Sequence, residues 1–406
     1  MSNASAKCST LMQDSIEPEK PKTSKADLLH VSLKIPAGGP RTRAHRGPRA
    51  GIGDTMTHQG TARARFLLWI FAGLLALSTG ETAYGQSAEP FTFFREYIGL
   101  NDEQIAPIRN GKAIAKIVES RTPDEVFVFG SVYVESTPDK YLKFASDIDS
   151  LRSLPSYLAI QKFSDPPQLS DLEGFTLEAQ DIKDLKNCEP GHCEVQLPGE
   201  AMDSFKRSVD WTAPDVANRV NQIAQNLALE ALQNYIQGGN AALGTYRDKK
   251  HPAVVAATFQ SVLSRSKALP VYLPQLDRYL LDYPNANSDN IQTEFFWEKV
   301  NFGLKPTLRI VQAVVYRDTN SEQQTWALAV KQLYASHYFE TALDLTVCVK
   351  DPERPGIYLI TMKGSQQAGL TGFKGGIVRK VAVDKTRSSL EKALAAIKQK
   401  LESQKD

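Results

Sequence analysis

Residues 125–163 read EVFVFGSVYVESTPDKYLKFASDIDSLRSLPSYLAIQKF, and this stretch decides the fold. Its first eleven residues, Glu125–Glu135, are rich in Val, Phe and Tyr, which predicts a strand. Ser136-Thr137-Pro138-Asp139 then supplies a cap and a first-turn proline for a helix over Lys140–Ser146. A second short helix is expected over Ile148–Leu154, and a second strand over Tyr157–Phe163, stopped by Asp165-Pro166-Pro167.

Downstream the β signal returns. Leu308–Tyr316, Thr325–Ala335, Ala342–Val349, Gly356–Met362 and Gly376–Val383 all favour strands separated by turns, the pattern of an antiparallel meander. Lys385–Leu401 closes the chain as an amphipathic helix with Leu390, Leu394, Ile397 and Leu401 on one face. Upstream, Gln104–Ile117 places Ile105, Ile108, Ile114 and Ile117 near a helical period, and Asn101 with Gln104 forms a capping pair. Between the two β regions lies a helical block, residues 200–284. Its longest helix starts at Pro214, carries Val216, Val220, Ile223, Leu227 and Ala231 on one face, and stops at Gly238-Gly239.

The expected class is therefore α+β: an antiparallel sheet wrapped on a long C-terminal helix, with a helical insertion at about 200–284. The segments 125–163 and 306–401 resemble the helix-grip architecture of START-type lipid-binding domains. That resemblance implies a curved sheet closing on the last helix around an apolar cavity, and hence a hydrophobic or lipid-like ligand. The helical block is not part of that pattern.

Composition narrows the classes further. The chain has 406 residues, 48 Lys and Arg against 46 Asp and Glu, and 42% apolar residues. This excludes collagen-like, wholly disordered and polytopic membrane proteins. Residues 66–77, FLLWIFAGLLAL, are too short to span a bilayer, follow Arg63 and Arg65, and precede the small-x-small site Ala83-Tyr84-Gly85. They read as a secretory signal peptide, residues 56–85, with Met56 as the start and residues 1–55 a mis-called or disordered extension. Residues 86–406 then form one exported domain, periplasmic or secreted. Residues 1–85 hold 11 Lys and Arg against 6 Asp and Glu, so residues 86–406 carry 37 against 40, a net −3. With no polybasic patch, nucleic acid is not an expected partner, and contact with a membrane is expected to be transient at most.

Cys188-Glu-Pro-Gly-His-Cys193 is a Pro-Gly turn between two thiols, and in an oxidising compartment a local disulfide is expected. A metal site from Cys188, His192 and Cys193 lacks a fourth ligand nearby, and a covalent haem site would need a His where Glu194 stands. No cofactor is expected, and Cys348, in the apolar stretch LTVCV, is expected to be a buried inert thiol. The chain lacks a nucleophile elbow, a zinc-protease motif, a phosphate loop and a dinucleotide fingerprint.

Two stretches stand out as candidate sites. Phe295-Phe296-Trp297-Glu298 can line a pocket or anchor the helical block to the sheet. In Lys331–Phe339, a continuous strand would put Lys331, Leu333, Ala335, His337 and Phe339 on one face and Gln332, Tyr334, Ser336 and Tyr338 on the other. The expected ligand lining is Phe296, Trp297, Tyr334, His337, Tyr338 and Phe339. A hydrolase-like enzyme is the alternative, with His337 as acid or base oriented by Glu298 or Asp344. A third reading is an envelope protein that acts only through surface contacts. N-terminal sequencing of protein recovered from the native host should begin at Gln86; a mature chain containing residues 1–55 would overturn the export reading.

Overall fold

Eight antiparallel strands in one sheet carry the fold of the computed structural model, which describes residues 90–403 apart from 155, 287, 303–304, 319–323, 368–369 and 371. The expected extension, signal peptide and cleavage site lie outside the described residues. In chain order come α1 (Pro90–Glu96), α2 (Asp102–Arg109), β1 (Ile114–Val118), β2 (Glu125–Val134), α3 (Pro138–Ser146), α4 (Ile148–Arg152) and β3 (Tyr157–Lys162). Next are α5 (Ala179–Leu185), α6 (Gly199–Ser208), α7 (Val216–Gly238), the short pair β4 (Thr245–Tyr246) and β5 (Ala253–Val254), α8 (Val255–Leu263), α9 (Leu269–Tyr272) and α10 (Pro274–Asp282). The meander is β6 (Ile291–Val300), β7 (Thr307–Asp318), β8 (Thr325–Ala335), β9 (Phe339–Lys350) and β10 (Ile357–Gln367), and α11 (Gly372–Ser403) ends the chain. The sheet order is β1-β2-β10-β9-β8-β7-β6-β3. The expected α+β class is thus present, with a large antiparallel sheet and a long C-terminal helix.

Both faces of the sheet are covered. Every residue of β2 is buried. On one face Val126, Val128, Val132 and Val134 pack with Tyr141, Leu142 and Phe144 of α3 and with Val383, Leu390, Leu394 and Leu401 of α11. On the other, Phe127 joins Phe259, Val262 and Leu263 of α8, Leu232 and Tyr235 of α7, and Leu276, Tyr279 and Leu280 of α10. Phe129 and Tyr133 on that same face meet Phe93 and Phe94 of α1 and Ile105 and Ile108 of α2. Alternation at period two sends successive residues of β2 to opposite faces, so a fully apolar strand demands a layer on each side.

Local signals act as read at several points. Asn101 and Gln104 form a reciprocal capping box on α2, and Thr137 accepts from the Lys140 amide at the start of α3, with Pro138 first in the helix. Cys188 and Cys193 are joined as a disulfide around Glu189 and His192, whose backbones bridge, with Gly191 at φ +86°.

Two expectations are corrected. Ile114 and Ile117 do not continue a helix from Gln104; α2 ends at Arg109, Gly111 turns at φ +78°, and Ile114–Val118 pairs with β2 instead. Ile114 and Ile117 are three apart, a helical spacing, and the glycine turn overrides it. Gly376–Val383 is not a strand but part of α11. Both sides of β10 are already paired, with β2 and β9, so no ladder is open to a further strand there. Residues 291–300, read at sequence level only for their aromatics, form β6, which joins β7 to β3.

α11 lies close over the sheet at Gly130. A Cβ there would stand 2.7–2.8 Å from Leu390 and Leu394, closer than atoms pack. Substituting Gly130→Val should destabilise the protein by about 1–3 kcal/mol through overpacking, measured as a fall in the urea midpoint; an unchanged midpoint would show that α11 does not seat on Gly130.

Candidate functional site

The six residues expected to line one ligand cavity are divided by the sheet. Phe296 and Trp297 are neighbours on β6 and face opposite ways. Phe296 packs with Ile160 and Val311, beside Ile148 and Leu151 of α4, whereas Trp297 lies in the core under α7 and α8, its indole donating to the Asp171 carbonyl at 2.7 Å and its ring edge-on to Phe175. Tyr334 is on the side of Trp297, near Tyr246. Tyr338 sits in the β8–β9 turn at φ +66°, where its hydroxyl accepts from the Lys305 amide. Phe339 packs edge-on against Phe302 at 4.9 Å.

The expected single face from Lys331 to Phe339 does not form. The pairing of β8 with β7 slips at Leu333, where Gln332 opposes Val311 and Tyr334 opposes Ile310, and β8 ends at Ala335. A bulge adds one residue and re-aims those that follow. His337 therefore leaves the sheet and meets α5: its Nε2 is 3.0 Å from Asp181 Oδ2 and its Nδ1 3.1 Å from the Glu194 carbonyl. The ring is 4% exposed. Lys305 adds a cation to the group, 3.3 Å from both Asp181 and Asp184. Burial would raise the Asp181 carboxyl, but hydrogen bonds from His337 and Lys305 outweigh it and hold the carboxyl below its usual range.

This geometry corrects the expected partnership of His337 with Glu298 or Asp344. Glu298 instead faces Arg309 across β6 and β7, 3.2 Å from its Nε, with both side chains buried. Burial raises the Glu298 carboxyl despite Arg309, and the nearby Asp344 adds to the rise. Asp344 is ion-paired with Lys363. Both ring nitrogens of His337 face protein oxygens, so the imidazole ties α5, the Glu194 loop and the β8–β9 turn together. Asp181 and Lys305 escaped the sequence reading because no spacing links residues 181, 305 and 337; only the bulge brings them together.

An apolar cleft of about 80 Å³ lies between α8 and the sheet. It is lined by Val118, Phe127, Val262, Leu263, Leu269, Leu343, Leu345, Met362 and Gly364, with Glu119, Arg265 and Ser266 as its polar members. Arg265 stands over the Phe127 ring and donates to the Glu119 carbonyl, while its Nε has no hydrogen-bond partner. That Nε lies 3.8 Å from Glu125. This is the arrangement of a small amphipathic site: apolar walls and a few polar groups at one side. The strand residues of this cleft alternate with those facing α11, a pattern the sequence displays, but the contribution of α8 from the insertion has no sequence signal.

Beneath α11 the sheet carries the apolar side chains named above, among them Val128, Val132, Leu390 and Leu394. Among the described residues no group of three or more His, Cys, Asp and Glu is arranged to hold a metal ion. The fold and these sites define an α+β protein with a two-sided sheet. No protein-family model matches the chain, and no curated protein matches its sequence.

Lys331 is the most unusual buried group. Its side chain is fully buried beside α7 and α8, with Nζ 2.9 Å from the Tyr235 hydroxyl, hydrogen-bonded to Asn240 Oδ1, and 4.0 Å from the centre of the Phe259 ring. Tyr235 in turn donates to Gln312 at 2.7 Å. No carboxylate pairs with Lys331 among the described residues, and burial lowers the ammonium to about 7. Between pH 7 and the ordinary lysine value the unfolded chain then holds a proton that the folded chain lacks, so stability rises with pH across that window and is flat with respect to this group below it. Lys331→Met should abolish the rise, read as the difference in urea midpoint between pH 7 and pH 10; an identical pH slope in both proteins would refute it.

Proposed function

We propose that this is an exported, non-enzymatic binding protein whose ligand is a small hydrophobic or lipid-like molecule, seated in the cleft between α8 and the sheet. The apolar lining of that cleft, with Arg265 over Phe127 at one side, is the observation that carries the reading. At about 80 Å³ it is smaller than the roughly 150 Å³ cavity that admits benzene. It therefore accepts one apolar end of a ligand, with the polar end toward Arg265 and Ser266.

The order of elements supports a helix-grip relationship as part of this proposal. β2, α3, α4, β3, the meander β6–β10 and α11 follow the strand, two helices, strands and helix of that architecture, with α5–α10 inserted after β3. The difference is where the ligand goes. The insertion roofs the sheet face opposite α11, and the cleft belongs to that roof. The Cys188–Cys193 disulfide supports passage through an oxidising compartment.

Native mass spectrometry with lipid extraction, together with titration of short-chain fatty acids against a displaceable apolar dye, tests the reading. Purified protein should bind the dye and release it to the acids. Val262→Phe, which fills the cleft, should weaken binding about tenfold or more in the folded protein, with its fold checked by circular dichroism because overpacking itself costs about 1–3 kcal/mol. Absence of dye and acid binding, or binding unchanged by Val262→Phe, would reject the cleft as a ligand site.

A further inference from the structure

A second opening lies on the outer side of the insertion, beyond the cleft and independent of it. It is a pocket of about 350 Å³ whose walls include Asn240, Ala241, Arg278, Leu281, Asp282 and Tyr283. Lys331 is buried behind the lining, and Asn240 is common to the pocket and to the partners of its amine. Asn240 lines the pocket and also accepts from Lys331 Nζ through Oδ1, while its Nδ2 donates to the Leu280 and Leu281 carbonyls at 2.9 and 2.7 Å. Tyr283 lines the pocket and stacks at 5.2 Å on Tyr235, the other oxygen partner of the amine.

The backbone here is built to hold that wall. Gly239 has φ +59°, and a Cβ on it would lie 1.8 Å from the Tyr283 carbonyl oxygen. Only glycine permits α7 to end so close to the end of α10. The approach brings Asn240 and Tyr283 together over Lys331.

We propose that this pocket captures a small aldehyde as an imine on Lys331, with Asn240 as the side chain displaced on entry. A lysine set among Phe259 and Tyr235, with no carboxylate partner, has the desolvated surroundings in which amines serve as nucleophiles toward carbonyls. Its lowered proton affinity keeps a share of it as free amine near neutral pH.

The step balances within the site. The nitrogen lone pair forms a bond to the carbonyl carbon and the carbonyl π bond breaks toward oxygen. A proton moves from nitrogen to that oxygen, giving a carbinolamine. The C–O bond then breaks as water leaves and C=N forms, with the second nitrogen proton departing in the water. No oxidant or reductant takes part. Tyr235, hydrogen-bonded to Nζ and onward to Gln312 at 2.7 Å, is placed to relay the protons. It remains neutral, since burial raises its hydroxyl.

Trapping tests the proposal. The full chain, at pH 7.5, is incubated with benzaldehyde and sodium cyanoborohydride, which reduces an imine to a stable benzylamine, and digested for mass spectrometry. Lys331 should carry the benzyl mass and react about tenfold faster than exposed lysines such as Lys250 in the same sample. Asn240→Ala, which thins the wall, should accelerate labelling at Lys331 and leave the exposed lysines unchanged. Labelling confined to exposed lysines, in both the unaltered protein and Asn240→Ala, would overturn the proposal. Because the first arm uses the unaltered chain, a variant that fails to fold leaves it decisive.

Discussion

A β-strand shows its neighbours to two sides at once, and in this protein neither side of the central strands can be left to water. β2 is buried along its whole length, with valines toward α11 and phenylalanines toward α1 and α8. Apolar surface on both faces is stabilised only by removal from water, at roughly 25 cal/mol per Å². One long helix covers only part of one face. The helices between β3 and β6 are therefore the second half of the core rather than an ornament added to a finished sheet, and α1 and α2 complete the cover where α8 ends.

This requirement explains how much could be read in advance. The strand–helix–helix–strand unit at 125–163, the capped starts of α2 and α3, the meander and the last helix all announce themselves locally, by periodicity and by capping chemistry. The errors fall where a local pattern fits two structures and the sheet chooses. Ile114–Val118 carries Ile114 and Ile117 at a helical spacing and becomes a strand because the β2 edge is open to it. Gly376–Val383 becomes helix because β10 is paired on both sides.

The candidate site was less legible than the fold. Phe296 and Trp297 are adjacent in sequence, and adjacency in a strand means separation by the thickness of the sheet. His337 was singled out correctly as unusual, but its partners are Asp181 and the Glu194 carbonyl, reached after a one-residue bulge that no composition rule foretells. Lys331 was visible as a lysine among apolar residues, and its meaning depends on Tyr235, Asn240 and Phe259, all contributed by the helical block.

Cys348 shows what that layered burial does for the rest of the chain. It sits on β9, 1% exposed, in the core that α3 and α11 cover, and burial raises its thiol well above the usual value. Thiolate is the species that attacks a disulfide. Once α3 has docked, the one remaining thiol of the described residues is therefore kept both out of reach and in the unreactive form. Within residues 90–403 three cysteines allow three pairings, and an odd cysteine under oxidising conditions ordinarily invites scrambling or dimers linked through sulfur. Here the packing of a sheet face acts as the safeguard of a bond made elsewhere: the short loop between Cys188 and Cys193 keeps its partner assignment because its only competitor within residues 90–403 has been folded away.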